Sequence, residues 1–150
     1  MRNSLAKKLW ASIGKKDALY GADIKGSLIH PEDPTSWNLN HLNSVLKDAL
    51  GKTVLHGINH SYLYVGACHT MFAWHTEDLG LCSINYLHYG QPKFWYCISP
   101  LDGRKLESHV KNKRADLFVE CPEYFRHKVL VVNPYTLKDA VPDINIHKLV

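Results

Sequence analysis

Four short runs rich in aromatic and β-branched residues follow one another with turn residues between them: Tyr62 to Val65, Thr70 to Thr76, Ser83 to His88 and Lys93 to Ile98. Runs of this kind, bounded by turn signals, predict consecutive strands. Several strands in succession suit a double-sheet jelly roll. Helical signals lie on either side. Leu5 to Ile13 predicts a short helix ended by Gly14, and Tyr20 to Ile29 reads as extended pieces around Gly21 and Gly26. Leu39, Leu42, Val45, Leu46 and Ala49 form one helical stripe, capped by Ser36 or Asn38 and stopped by Gly51. Ser99-Pro100 is a cap-then-proline start for a helix running toward Val110. Pro122 to His127 and Pro134 to Asp139 predict short helices, and Val129 to Val132 a strand. The expected class is mainly β with flanking helices, an α+β arrangement.

At 150 residues the chain is one domain at most and large enough to bury a core. Its net charge of +4 is mild, and its short basic clusters, such as Lys111-Asn-Lys-Arg114, read as solvated faces. Direct nucleic-acid binding is therefore not expected. No apolar leader or membrane-length stretch stands out, which predicts no membrane partner. The four cysteines lack paired C-x-x-C spacing, which predicts free thiols in a reducing, intracellular setting. Of the ten histidines, His30, His41, His60, His69 and His109 carry no partner pattern.

His75-Thr76-Glu77 does carry one. An imidazole and a carboxylate two residues apart in an extended strand point to the same face, so both reach one metal ion. They are two of the three ligands of a facial Fe(II) triad, which leaves positions open for a co-substrate and oxygen. The plain alternative is a surface His near an exposed Glu. Downstream, Asn85 and Lys93 stand among aromatics, and an ammonium is a suitable partner for the distal carboxylate of an iron-bound acid such as 2-oxoglutarate. The plain alternative for Lys93 is a solvated lysine after the turn Gly90-Gln91-Pro92.

Taken together these runs resemble the Jumonji C (JmjC) oxygenases, most closely the JmjC histone lysine demethylases acting on trimethyl-lysine. The likeness runs from Tyr20-Gly-Ala-Asp23 to Asn133-Pro134. It includes Gly57-Ile-Asn, Tyr62-Leu-Tyr64, Phe72-Ala-Trp-His75-Thr-Glu77-Asp78, Ser83-Ile-Asn85-Tyr-Leu-His, Pro92-Lys93 and Trp95-Tyr96, with Cys121 followed by Phe125-Arg-His127-Lys128. The resemblance implies a double-stranded β-helix, or cupin-like jelly roll, incomplete at its C-terminal end. It implies residues 1–18 as a helical lead-in and 19–150 as a partial JmjC domain.

The resemblance also implies the site. Fe(II) would be held by His75 and Glu77, with no catalytic residue beyond the metal ligands. 2-Oxoglutarate would meet Tyr20, Asn85 and Lys93, walled by Phe72 and Trp95, whose plain reading is core packing. Methyl-lysine of histone H3 would meet the Gly57 carbonyl, the Tyr64 hydroxyl and Glu77, with Tyr62, Asp23 and Lys128 at further substrate or oxygen-channel positions. Local acids such as Asp23, Glu77 and Asp78 would attract a basic tail. Cys121 and His127 match two ligands of a structural zinc site. The partners implied are the H3 tail and chromatin, and the location the nucleus.

The chain also departs from the family pattern. His56 stands where an acidic residue is expected, His60-Ser61 where a Thr-Pro pair is, and Tyr89 and Gln91 where Phe and Glu are commoner. These differences bear on substrate choice. The stretch carrying the third iron ligand does not occur in these residues, nor does the remaining zinc cysteine pair, and His147 lacks the expected context. The 150 residues alone are accordingly expected to hold iron weakly and to be inactive. Three functions are open: a demethylase, an inactive JmjC module binding chromatin, and a JmjC protein hydroxylase.

Overall fold

The longest helix begins where the sequence gives its clearest signal. In this computed structural model, which describes residues 2–15, 17–42 and 44–150, helix α3 spans Pro100–Lys113, and the Ser99 hydroxyl accepts the Asp102 N–H. Proline at the first turn costs no hydrogen bond, and Lys111 and Lys113 in the last turn complement the helix dipole. Asp102, Leu106 and Val110 form the buried face of α3. Two compact units divide the chain, one of Met1–Ile13 with Met71–Val150 and one of Gly14–Thr70.

The first unit holds a core of Leu106, Val110, Leu137 and Ile144, against which Trp74, Ile98, Phe118, Phe125 and Leu130 pack. Leu137 and Ile144 are fully buried, so truncating either to alanine costs about 2–5 kcal/mol. Around this core stand α1 (Arg2–Ser12), β3 (Trp95–Ile98), α4 (Ala115–Glu120), α5 (Pro134–Ala140) and β4 (Ile146–Leu149). Strands β3 and β4 pair antiparallel, from Trp95 opposite Leu149 to Ile98 opposite Ile146. The one acid on the buried face of α3 is fully engaged. Asp102 accepts the Asn145 N–H at 3.0 Å and its side-chain amide at 3.1 Å, and pairs with Lys105 at 2.8 Å. Lys105 also reaches Asp143 at 2.8 Å. These contacts tie the start of α3 to the approach of β4. Lys105, then the Asn145 N–H, hold the Asp102 carboxyl below the usual carboxylate range.

The second unit is built on a ribbon of β1 (Tyr20–Lys25) and β2 (Tyr62–Gly66). Tyr20 lies opposite Gly66 and Lys25 opposite Tyr62, with a bulge between Gly21 and Ile24. Asp23 occupies the bulge in a left-handed conformation, φ 55°. A bulge re-aims side chains locally, and Asp tolerates this backbone region better than most residues. Helix α2 (Val45–Leu50) is capped by Ser44 and closed by Gly51 at φ 55°. Asn38 is buried and donates its amide to the carbonyls of His30, Pro31 and Asp33, which pins the preceding loop.

Several expectations need correction. The stripe from Leu39 to Ala49 is not one helix. Asn38 caps a 3-10 turn over Leu39–His41, Leu42 is extended at ψ 120°, and Ser44 caps α2 separately. Two good caps six residues apart favour two short pieces over one long one. Pro122 to His127 yields a 3-10 turn at Tyr124–His127. Helix α4 and strand β4 were not predicted, being short and weakly patterned.

Thr70 to Thr76, Ser83 to His88 and Val129 to Val132 form no ladder among the described residues. They carry no regular element, though the Trp74 N–H donates to the Leu130 carbonyl at 3.1 Å. A strand needs a partner edge, and Ile84, Tyr86 and Leu87 are instead more than 40% exposed, at 46%, 42% and 45%. Among the described residues the sheets are two two-stranded antiparallel ribbons, with no closed barrel, which agrees with an incomplete jelly roll. Helices of 11 and 14 residues make the described residues less β-rich than expected.

Candidate functional site

His75 and Glu77 lie in the first unit just before a 3-10 turn at Asp78–Gly80, with Glu77 extended and neither residue in a paired strand. Their same-side geometry nevertheless holds, with His75 Nε2 and Glu77 Oε1 3.9 Å apart. That gap is too long for a hydrogen bond. Two ligands at about 2.1 Å that meet an ion at a right angle stand about 3.0 Å apart, so the pair would close by about 1 Å around a shared ion.

The supporting contacts fit the same role. His75 Nδ1 lies 2.8 Å from the Ala73 carbonyl. A carbonyl only accepts, so Nδ1 carries a proton and Nε2 is the ring nitrogen turned toward Glu77. Ser83 donates its hydroxyl to Glu77 Oε1 at 2.7 Å. Metal-binding imidazoles and carboxylates are typically oriented by such partners. The sequence reading named neither the Ala73 carbonyl nor Ser83. Ser83 was legible only as the residue opening the Ser83-Ile-Asn85 run.

Lys93 and Asn85 are also brought together, with Lys93 Nζ donating to Asn85 Oδ1 at 3.1 Å. The ammonium sits 5.5 Å from the Phe72 ring centre and 5.9 Å from that of Trp95. Partial burial pushes the Lys93 pKa down from its ordinary value. Phe72 joins the two halves, its ring 6.5 Å from His75 and 6.4 Å from Trp95. His75, Glu77, Phe72, Asn85, Lys93 and Trp95 are thus one connected cluster. Phe72 and Trp95 are about two-fifths exposed, at 39% and 37%, so they form a surface wall rather than core.

In the same unit, Lys128 Nζ pairs with Asp78 at 3.0 Å. Lys128 has φ 55° and closes the turn after His127. Cys121 Sγ and His127 Nε2 approach to 3.4 Å, which suits two ligands of one zinc ion. Structural zinc normally takes four ligands. Among the described residues no group of three or more His, Cys, Asp or Glu side chains is placed to hold a metal. All four cysteines are free. His147 lies in β4, opposite Cys97.

The remaining predicted residues lie in the second unit. Tyr62 and Tyr64 share a strand face, their rings edge to face at 6.5 Å, and Tyr20 packs on Tyr64 at 6.1 Å. The Tyr64 hydroxyl donates to Asp23 Oδ1 at 2.6 Å. Burial, and then this bond, drive the Tyr64 pKa well up. Burial, then the Asp23 charge, push Tyr20 up to about 12. Gly57 has φ 79°, and a Cβ there would fall 2.6 Å from Tyr62 Cε2. Glycine is thus required for the loop to lie against the tyrosine ring.

A family model described as "JmjC domain, hydroxylase" matches residues 62–149. The chain is 42% identical over 138 residues to lysine-specific demethylase 4D of Rattus norvegicus, covering 90% of this chain and 27% of that protein. It is 43% identical to probable lysine-specific demethylase 4F of Homo sapiens, covering 89% of this chain and 21% of that protein. Lysine-specific demethylase 4B of Mus musculus is 40% identical, with 91% and 13% covered. The chain therefore spans about a quarter or less of the length of these relatives. The match covers more than half of the chain and includes His75, Glu77, Asn85 and Lys93, so the chain belongs to the JmjC domain family.

Proposed function

We propose that this chain is part of an Fe(II)- and 2-oxoglutarate-dependent lysine demethylase acting on di- or trimethylated lysine of histone H3. The setting is chromatin in the nucleus. One observation carries the reading: Phe72 lies between the His75/Glu77 pair and the Lys93/Asn85 pair, so a metal-binding end and a carboxylate-binding end share one aromatic wall. Three relatives that carry lysine demethylase in their names support the reaction class.

In this reading His75 Nε2 and Glu77 hold the ion, with a third ligand supplied from outside these residues. Bound Fe(II) and 2-oxoglutarate together supply the oxidation of an N-methyl carbon by dioxygen, after which the methyl group leaves as formaldehyde. Lys93 attracts and orients the co-substrate's distal carboxylate, and Asn85 fixes the ammonium. Phe72 and Trp95 flank that end as its aromatic wall. The Tyr62/Tyr64 face and the Gly57 backbone offer a methyl-ammonium ring faces and weakly polar oxygens, which suits a cation without strong hydrogen-bond donors.

A second reading is a non-catalytic chromatin-binding module. It draws on the fact that only two metal ligands come together among the described residues. Turnover separates the two. The protein at its natural length, with Fe(II), 2-oxoglutarate and a trimethyl-lysine H3 peptide, should release succinate and lose methyl groups in step. Peptide binding without turnover would favour the module.

A further inference from the structure

The loop between α2 and β2 carries an unused pair of imidazoles. His56 and His60 are exposed, and their rings meet edge to face at 5.9 Å. The His56 ring also stacks on Tyr62, 6.2 Å away and tilted by 24°. The loop is well held. The Gly57 N–H donates to the His60 carbonyl at 2.7 Å, and the Leu55 N–H to Asn59 Oδ1 at 2.7 Å. The Asn59 amide donates to Thr53 O at 2.7 Å. Ser61 ties the loop to Gly26 through its hydroxyl at 3.2 Å. The imidazoles therefore have fixed places beside the tyrosine face.

We infer that His56 and His60 are specificity-determining residues of the Tyr62/Tyr64 cation face, admitting a methyl-ammonium when neutral and rejecting it, and basic neighbours of it, when protonated. The inference builds on the methyl-lysine reading of that face. An imidazolium stacked on Tyr62 occupies the ring's cation-attracting surface itself. It also adds like charge one ring away. Histidine is the side chain whose ordinary titration falls between pH 5 and 8.

The other groups around these rings are Tyr20, Asp23 and Lys25 from β1, Tyr64 from β2, and Asn59 in the loop, which contacts His60 Nδ1 at 3.1 Å. Asp23 accepts the Tyr64 hydroxyl but keeps its negative charge, so it offsets part of what two protonated imidazoles add. Tyr20 and Tyr64 keep their protons throughout this range. Lys25 stands opposite Tyr62 and adds to the basic character of the edge. Methyl-lysine segments with uncharged or acidic neighbours are therefore the class this face takes best. Two charges at about 6–7 Å in a water-like medium each weaken cation binding roughly threefold, and the Asp23 charge cancels about one of them, which leaves about threefold net.

The test is an NMR titration of the protein with tetramethylammonium at pH 5.5, 6.5, 7.5 and 8.5, for wild type and His56→Gln/His60→Gln. Two trimethyl-lysine peptides with flanking Glu or Arg form a second arm. Wild type should bind the cation about threefold more weakly at pH 5.5 than at 8.5, and the double variant equally at both. The Glu peptide's advantage should widen in acid in wild type only. By reciprocity, bound cation should lower the midpoint of the His56 ring resonances. Binding with no pH dependence, or with the same dependence in the double variant, overturns the inference and leaves the demethylase reading standing. No binding by either protein at any pH overturns both the inference and the cation face, while 2-oxoglutarate turnover still reports on the iron site.

Discussion

His75 turns its Nε2 toward Glu77 Oε1 across 3.9 Å, because its Nδ1 proton is committed to the Ala73 carbonyl 2.8 Å away. The backbone thus fixes Nδ1 as the donor to Ala73 and turns Nε2 toward the carboxylate, and Ser83 donates to the same Oε1.

Ser83 should therefore matter to the metal without touching it. Losing a partner that orients a ligand typically lowers metal affinity by about 10–100-fold. Ser83→Ala should weaken Fe(II) binding by roughly tenfold in an anaerobic titration, with the fold unchanged by circular dichroism. Unaltered affinity would separate Ser83 from the site.

Lys93 is predicted to set the 2-oxoglutarate requirement. The charged hydrogen bond it offers a carboxylate is worth about 1.5–3 kcal/mol, or roughly 10–150-fold in affinity. Its partial exposure places the loss in Lys93→Ala toward the lower end of that range. The pH dependence follows from the lowered pKa. The ammonium is lost earlier than that of a free lysine as pH rises, so 2-oxoglutarate affinity should begin to fall below pH 10.5. Lys93→Arg should remove that alkaline fall. A shift of less than about threefold in Lys93→Ala would take Lys93 out of the co-substrate site.

How much of this was legible in the sequence follows from which interactions are local. The Ser99-Pro100 start of α3 and the Tyr62/Tyr64 face are set within a few residues, and both stand as read. The pairing of Lys93 with Asn85 bridges eight residues; their residue types suggested one site, but nothing local in the sequence fixed the contact. The break at Leu42 could not be read from the apolar stripe, because Asn38 and Ser44 decide it through their caps. Ser83 to His88 has strand composition but no ladder, since a strand is defined by its partner rather than its own residues. The Asp102–Asn145 tie joins positions 43 apart and left no pattern to find.

Gly57 is predicted to be intolerant of any side chain. Its φ of 79° and the 2.6 Å approach of a Cβ to Tyr62 both oppose substitution. Gly57→Ala should destabilise the Gly14–Thr70 unit by about 1–3 kcal/mol. Chemical denaturation followed by tyrosine fluorescence would report it. A stability equal to wild type would show that the loop does not lie against Tyr62.

Asp102 is predicted to make the first unit acid-sensitive. Its folded carboxyl titrates below the ordinary carboxylate range because of Lys105 and Asn145. The unfolded chain therefore takes up the proton first as pH falls, and the stability Asp102 contributes, complete above the ordinary range, is lost on descending through its lowered pKa. Asp102→Asn should lower the melting temperature at pH 7 and make little difference near pH 2. Equal losses at both pH values would mean that Asp102 acts through packing alone.

The most direct test of the central claim is His75→Ala in the protein at its natural length, followed by Fe(II)-dependent conversion of 2-oxoglutarate to succinate. With His75 and Glu77 holding the metal, the variant should bind Fe(II) far more weakly and show no conversion, while its secondary structure stays that of wild type. Conversion at the wild-type rate in His75→Ala would contradict the assignment of the metal to this pair.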